Sequence, residues 1–122
     1  MNEFKTLFEP QSIAVIGAST QKGSVGNDVV KNLIENNYQG DLYLINPKGG
    51  EIYGKGLIVD IDNVQESIDL AVIIVPAKIV SHILDQCGKK GIRSAIIISA
   101  GFREAGKSEL EEEITQVRLL LK

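Results

Sequence analysis

Three glycines and two serines follow the first apolar run of the chain, and together they could hold a phosphate group. The stretch reads IAVIGAST, then GSVG, with Gly17 closing the apolar run and Gly23 and Gly26 in a polar loop. A helix that begins near Ser24 or Val25 would present unpaired backbone N–H groups and the positive end of its dipole to an anion. The glycines could instead serve only turns and helix–strand packing. Their place at the first strand–helix turn favours a bound nucleotide diphosphate.

The spacing of this loop differs from the dinucleotide fingerprint G-x-G-x-x-G. Ser19 occupies the position of the second glycine, and the loop is longer than the fingerprint. The second apolar run ends in NPKGG, so Lys48 lies where an NAD site has an acidic residue for the ribose hydroxyls. A lysine cannot accept a hydrogen bond, but it can neutralise a phosphate. These residues indicate a ligand with an extra phosphate on its adenosine ribose, and both NADP and coenzyme A (CoA) meet that description.

Four sequence blocks, in order, resemble the CoA-binding domain of ADP-forming acetyl-CoA synthetases (acid–CoA ligases). They are IAVIGAST…GSVG…VVKNL, INPKGGEIYG, DLAVIIVPA and AIIISAGFRE, and they extend from about residue 8 to about residue 113. That domain is similar to the amino-terminal domain of the succinyl-CoA synthetase alpha subunit. The resemblance implies that CoA is the ligand.

The resemblance also implies which positions contact CoA. Serine hydroxyls and backbone N–H groups of the glycine loop would bind the diphosphate, Lys48 would lie at the 3′-phosphate, and Lys22 would be a second cation. The end of the third strand would flank the adenine or the pantetheine arm, and the end of the fourth would lie near pantetheine. The implied CoA-binding residues are Gly17, Ala18, Ser19, Lys22, Ser24, Val25, Gly26, Asn46, Pro47, Lys48, Val75, Pro76, Ser99, Ala100 and Gly101.

No residue of this chain is expected to be catalytic. In the family, an acid, CoA and ATP interconvert with acyl-CoA, ADP and phosphate through an acyl phosphate and a phosphorylated histidine. The single histidine, His82, lies in a helical pattern and matches no catalytic motif, and Cys87 is expected to be a buried, unreactive thiol. The cluster Glu109, Glu111, Glu112 and Glu113 suits the start of a helix better than a metal site. The resemblance therefore implies a phosphohistidine domain and an ATP-grasp domain or subunit as partners, in addition to CoA.

Four strand-sized apolar runs must position these residues. They cover residues 13–18, 41–47, 70–76 and 94–100 and show little alternation, which is typical of a parallel sheet buried on both faces. Helical patterns between the runs predict an α/β, Rossmann-like three-layer domain with a parallel sheet. Residues 117–121 are either a short fifth strand or the end of a helix.

The segments between the strands have their own signals. Apolar residues at helical spacing predict helices over 25–37 and 77–90, with Gly91 as the stop of the second. A capping box formed by Ser108 and Glu111 predicts a third helix. Residues 48–63 predict a loop with a short irregular strand, and Ser67 a brief helical turn.

The amino-acid composition limits the number of domains, the partners and the cellular location to be expected. The 122 residues suit one compact domain, 1–122, which is either a fragment or a separately encoded part of a larger synthetase. A net charge of −3 gives no reason to expect nucleic acid or an anionic membrane as a partner. One cysteine and one histidine exclude an internal disulfide and a Cys/His metal cluster, and they favour a reducing, cytoplasmic setting. The apolar runs are too short to span a membrane, and the first residues lack the features of a signal peptide.

Two other functions are compatible with the same loop. One is an NADP-binding oxidoreductase or redox-sensing domain, which the extra positive charge after the second strand would suit. The other is a free-standing CoA-binding module with a regulatory role. An unprotected edge on the strand at residues 94–100 would also favour a homodimer or a docked partner on that side.

Overall fold

A five-stranded sheet forms the centre of the domain. The computed structural model describes residues 8–98 and the backbone of residues 115–118. The strands, in chain order, are β1 (Ser12–Ile16), β2 (Asp41–Ile45), β3 (Glu51–Ile52), β4 (Lys55–Gly56), β5 (Leu70–Ile73), β6 (Ser94–Ile98) and β7 (Thr115–Arg118). The sheet order is β2-β1-β5-β6-β7, and β3 and β4 form a separate antiparallel hairpin. The first four strands of the sheet run parallel, which confirms the predicted Rossmann-like α/β class.

The fifth strand corrects one expectation. β7 pairs with β6 in antiparallel register, with Ala95 opposite Arg118 and Ile98 opposite Thr115. β7 therefore covers the edge of β6. The exposed edge that would have favoured a dimer on that side is not present in the described residues. Of residues 117–121, Val117 and Arg118 belong to this strand.

Two long helices connect the parallel strands, α1 (Val25–Glu35) and α2 (Ala77–Lys90). α1 ends before the predicted residue 37 because Asn37 takes a φ of 58°, outside the helical region. α2 has the predicted bounds, and Gly91 ends it in the left-handed conformation with a φ of 85°.

One helix covers each face of the sheet. Side chains alternate along a strand, so Ile13 and Val15 of β1 contribute to the core beneath α1, whereas Ala14 and Ile16 contribute to the core beneath α2. All of β1 is buried. This two-sided burial explains why the strand sequences are continuously apolar. Ile79, near the start of α2, is 40% exposed.

The connection between β2 and β5 is more ordered than the sequence indicates. It contains the β3–β4 hairpin and then a return along β2, in which the Ile58 N–H donates to Leu44 O. A short 3-10 helix follows at Ile61–Asn63. The helical turn predicted at Ser67 is wrong: the turn of this connection lies earlier, at Ile61–Asn63, where Asp62 N–H donates to Asp60 Oδ1. The helix predicted near Ser108 and the acidic residues 109–113 lie outside the described residues.

The strand order creates the crevice where ligands bind in folds of this class. From β1 the chain crosses to β2 on one side of the sheet, and β5 lies on the other side of β1. The connections on the two sides of β1 pack against opposite faces, so an opening is left at the carboxyl ends of β1 and β5. The glycine loop and the start of α1 lie at this end.

Candidate functional site

Two of the loop glycines are required by backbone packing. A Cβ on Gly17, which has a φ of +105°, would lie 1.9 Å from Ile74 O, and one on Gly26 would lie 2.1 Å from Gly17 O. The loop is therefore pressed between the end of β5 and the start of α1. Gly23 differs, because its φ is +87° and a Cβ added there would meet no atom within 4 Å. The packing role thus applies to Gly17 and Gly26, and Gly23 shapes a turn that faces open space.

The start of α1 retains backbone donors for an anion. Ser24 is the N-cap: its Oγ accepts from Asn27 N–H at 3.2 Å and donates to Gln21 O at 2.7 Å. Within the described part of the chain, the N–H groups of Val25 and Gly26 have no hydrogen-bond acceptor. These two donors, at the positive end of an 11-residue helix, favour a phosphate group.

The two loop serines have different roles in this structure. Ser19 Oγ accepts from Gln21 N–H at 3.0 Å, so its own proton remains available to a ligand. Ser24 already directs its proton to Gln21 O. The predicted hydroxyl contact to the diphosphate is therefore better supported for Ser19 than for Ser24. Lys22 lies on the same loop and is exposed.

The NPKGG segment lies directly against the glycine loop. Asn46 Nδ2 donates to Ala18 O at 2.6 Å, and its Oδ1 accepts from Lys48 N–H at 2.8 Å. Gly50 faces Thr20, whose Cγ2 would be 3.9 Å from a Cβ added there. Asn46 thus joins the two loops by hydrogen bonds, and the exposed Lys48 belongs to a segment that adjoins the glycine loop. Ala18 is fully buried, and its carbonyl oxygen is the acceptor for Asn46, so this residue offers no accessible surface to a ligand.

A cleft of about 510 Å³ opens beside Gly17 and extends toward α2. Its walls are mainly apolar, and they include Val59 on one side and Ile79 on the other, which are 53% and 40% exposed. Exposed apolar side chains that face one opening suit a flat heterocycle or an aliphatic arm. Five residues predicted from the sequence line this cleft: Gly17, Asn46, Pro47, Val75 and Pro76.

The polar rim of the cleft ties α2 to the segment after the hairpin. Gln86 Nε2 donates to Asp60 Oδ1 at 3.1 Å and to Asp62 Oδ2 at 3.3 Å. His82 also lines the cleft and is exposed. Ser99, Ala100 and Gly101, predicted to lie near pantetheine, fall outside the described residues.

Cys87 is buried in the core beneath α2. Burial, with a smaller contribution from the Asp62 carboxylate, raises the pKa of its thiol to about 11. The thiol is protonated at neutral pH, and this agrees with the expected unreactive role. In residues 8–98, no group of three or more His, Cys, Asp or Glu side chains could hold a metal ion. In the same range, the helices fall short of the length and hydropathy needed to cross a membrane.

Two residues of this site were missed in the sequence. Asn27 is only 3% exposed, and its Nδ2 donates to Ser19 O at 2.9 Å. Its Oδ1 accepts from the hydroxyl of Tyr53, at the tip of the β3–β4 hairpin, at 2.7 Å. The sequence signal that could have indicated Asn27 was its position as a polar residue immediately after Gly26, where the start of α1 packs against the loop.

A second depression lies at the opposite end of the sheet. It has a volume of about 790 Å³ and is open and shallow, and Pro10, Tyr38 and Asp41 are among its lining residues. The Tyr38 hydroxyl donates to Pro10 O at 2.8 Å. None of the residues predicted to contact a ligand lines this depression.

The sequence matches the family described as the CoA binding domain over residues 11–120. The chain belongs to this family. The match favours CoA over NADP, the two ligands that the loop chemistry had left open.

Larger proteins contain regions similar to this CoA-binding domain. It is 46% identical, over 91% of its length, to "Acetate--CoA ligase [ADP-forming] I" of Archaeoglobus fulgidus, of which it spans 16%. It is 42% identical to "Acetate--CoA ligase [ADP-forming] I subunit alpha" of Pyrococcus furiosus, covering 92% of this chain and 26% of that subunit. Among solved structures it is similar to the dinucleotide-forming acetyl-coenzyme A synthetase 1 of Ca. Korarchaeum cryptofilum, in complex with phosphate and ADP. That likeness has a TM-score of 0.77 and 40% identity and covers 93% of this chain and 24% of the other.

Proposed function

We propose that this CoA-binding domain holds CoA for an ADP-forming acyl-CoA synthetase. In this proposal the domain binds CoA so that its thiol can reach an acyl phosphate formed by other parts of the enzyme. The relatives named as acetate–CoA ligases support the reaction class, since the chain is over 40% identical to both.

The observation that carries the proposal is the pair of backbone donors at the start of α1. The N–H groups of Val25 and Gly26 and the hydroxyl of Ser19 all belong to the loop and helix start that follow the carboxyl end of β1. A diphosphate in that position would receive charge-assisted hydrogen bonds. The adjoining apolar cleft would receive the uncharged part of the ligand, and Lys48 would neutralise the 3′-phosphate.

The remaining chemistry is assigned to other domains or subunits. The relatives are several times longer than this chain, and one is named as an alpha subunit. We propose that a phosphohistidine domain and an ATP-grasp domain or subunit act with residues 1–122, which form one domain. The single cysteine supports a cytoplasmic location.

Calorimetric titration of the chain with CoA, dephospho-CoA and NADP tests this function. We expect one CoA per chain. Dephospho-CoA should bind at least about tenfold more weakly, because a hydrogen-bonded charge contact contributes about 1.5–3 kcal/mol. NADP should bind more weakly than CoA. Binding of NADP without binding of CoA would overturn the proposal in favour of a redox function.

A charge-matched pair of variants tests the role of Lys48. In Lys48→Met, the difference in affinity between CoA and dephospho-CoA should disappear. In Lys31→Met, which removes an exposed lysine from α1, the difference should persist. Equal affinities of the wild-type chain for the two ligands would refute the contact between Lys48 and the 3′-phosphate.

The alternative of a free-standing regulatory module predicts the same ligand. It differs in the partners, so the two can be separated by the reading frame beyond residue 122 and by neighbouring genes. A frame that encodes no further domain, with no partner subunit in the genome, would favour the regulatory module.

A further inference from the structure

The tip of the β3–β4 hairpin has an unfavourable backbone. Tyr53 has a φ of 51° and Gly54 a φ of 79°, so both central residues of the turn lie in the left-handed region. Glycine and asparagine are the usual residues at the first of these positions. A tyrosine there is destabilised by about 1 kcal/mol or more. The hairpin has only two residues in each strand, so it offers little pairing to offset that cost.

The Tyr53 side chain makes a contact that can offset this strain. Its hydroxyl donates to Asn27 Oδ1 at 2.7 Å, although the residue as a whole is 45% exposed. Asn27 is nearly inaccessible to solvent, so its amide oxygen would lose its partner without that hydroxyl.

Asn27 links the Tyr53 hydroxyl to the glycine loop through two further hydrogen bonds. Its Nδ2 donates to Ser19 O at 2.9 Å, and its backbone N–H donates to Ser24 Oγ at 3.2 Å. The hydroxyl of Tyr53 is thus one end of a series of hydrogen bonds. The series reaches both the beginning of the loop and the cap of α1, which flank the unpaired N–H groups of Val25 and Gly26.

We infer that Tyr53 is a positioning residue of the diphosphate site, which acts by fixing Asn27 and through it the glycine loop. This inference rests on the proposed function, because it takes the diphosphate to lie at the start of α1. A loop that is already ordered before binding lowers the conformational entropy lost when the ligand binds. The hairpin therefore contributes to affinity through Asn27 rather than through a contact between Tyr53 and the ligand.

Two substitutions at this position separate positioning from general stability. Tyr53→Phe keeps the ring and the strained backbone but deletes the hydroxyl. Tyr53→Gly deletes the whole side chain but relieves the positive φ, which offsets the lost hydrogen bond, so its stability should stay near that of the wild type. Tyr43→Phe on β2 is the matched control, since Tyr43 packs against the core beneath α2 and away from the loop.

The measurements are dissociation constants for CoA and for adenosine 3′-monophosphate, which retains the base and the 3′-phosphate but lacks the diphosphate. We expect both Tyr53 variants to bind CoA about fivefold more weakly, the equivalent of one hydrogen bond, and to bind adenosine 3′-monophosphate as the wild type does. The control should bind both ligands normally.

The inference and the proposed function would be contradicted by different results. Wild-type affinity for CoA in Tyr53→Phe or in a folded Tyr53→Gly would overturn the inference, and so would an equal loss for both ligands. If the wild-type chain itself fails to bind CoA, the proposed function fails, which is a separate outcome.

Discussion

Replacing Gly26 by alanine should displace the start of α1 and weaken CoA binding. The added Cβ would lie 2.1 Å from Gly17 O and 3.2 Å from Gly17 C, both backbone atoms that cannot turn aside. A normal contact requires more than 3.0 Å, so the helix start or the carbonyl must move by about 1 Å. Overpacking of this size costs about 1–3 kcal/mol. We expect a loss of about 2 kcal/mol in the free energy of unfolding.

The same displacement acts on the anion donors. Gly26 carries one of the two unpaired N–H groups, and hydrogen bonds require donor–acceptor distances near 2.7–3.2 Å. A shift of about 1 Å removes at least one charge-assisted bond of about 1.5–3 kcal/mol, so affinity for CoA should fall at least about tenfold. Urea unfolding followed by circular dichroism measures the first effect, and calorimetric titration with CoA measures the second.

Two other glycines are controls for this substitution. Gly23→Ala meets no atom within 4 Å but has a φ of +87°, so it should cost about 1 kcal/mol of stability from backbone strain alone. Gly56→Ala, in the hairpin, meets no atom within 4 Å and should change neither quantity appreciably. Wild-type stability and wild-type CoA affinity in Gly26→Ala would refute the close packing of α1 against the loop and the donor role derived from it.

Three further outcomes are expected. Ser19→Ala should weaken CoA binding without loss of stability, whereas Ser24→Ala should reduce the free energy of unfolding by about 1 kcal/mol because it removes the N-cap; titration and urea unfolding of both variants check this contrast. Asn46→Ala should lower both stability and CoA affinity, since it releases Ala18 O from the NPKGG segment, and the same two assays apply. The pKa of Cys87 is raised to about 11, so the folded state holds the thiol proton more tightly than the unfolded state does. The free energy of unfolding should therefore decline by about 2 kcal/mol between pH 9 and pH 11, and urea unfolding should show a smaller decline in Cys87→Ala.

The sheet and α2 could be predicted because their signals are local. The strand sequences are continuously apolar because the strands are buried on both faces of the sheet. The bounds of α2 follow from the spacing of its apolar residues and from Gly91. The proximity of the glycine loop and NPKGG could also be predicted, because both segments follow parallel strands and the carboxyl ends of such strands lie at one edge of the sheet.

The missed features depend on contacts between distant residues. Nothing in the local sequence shows that Tyr53 takes a positive φ, since the residue itself disfavours it and a bond to Asn27 accompanies it. The pairing of β7 with β6 also joins residues far apart in the chain, so the covered edge could not be predicted from the strand pattern.

In the proposed function, the start of α1 holds the diphosphate of CoA. This placement is tested most directly by following the backbone amide resonances of the labelled chain during titration with CoA. We predict that the amides of Val25 and Gly26 shift strongly and saturably with CoA, shift little with adenosine 3′-monophosphate, and that the amide of Gly56 stays unchanged. Saturable binding of CoA that leaves the Val25 and Gly26 amides unshifted would contradict the claim.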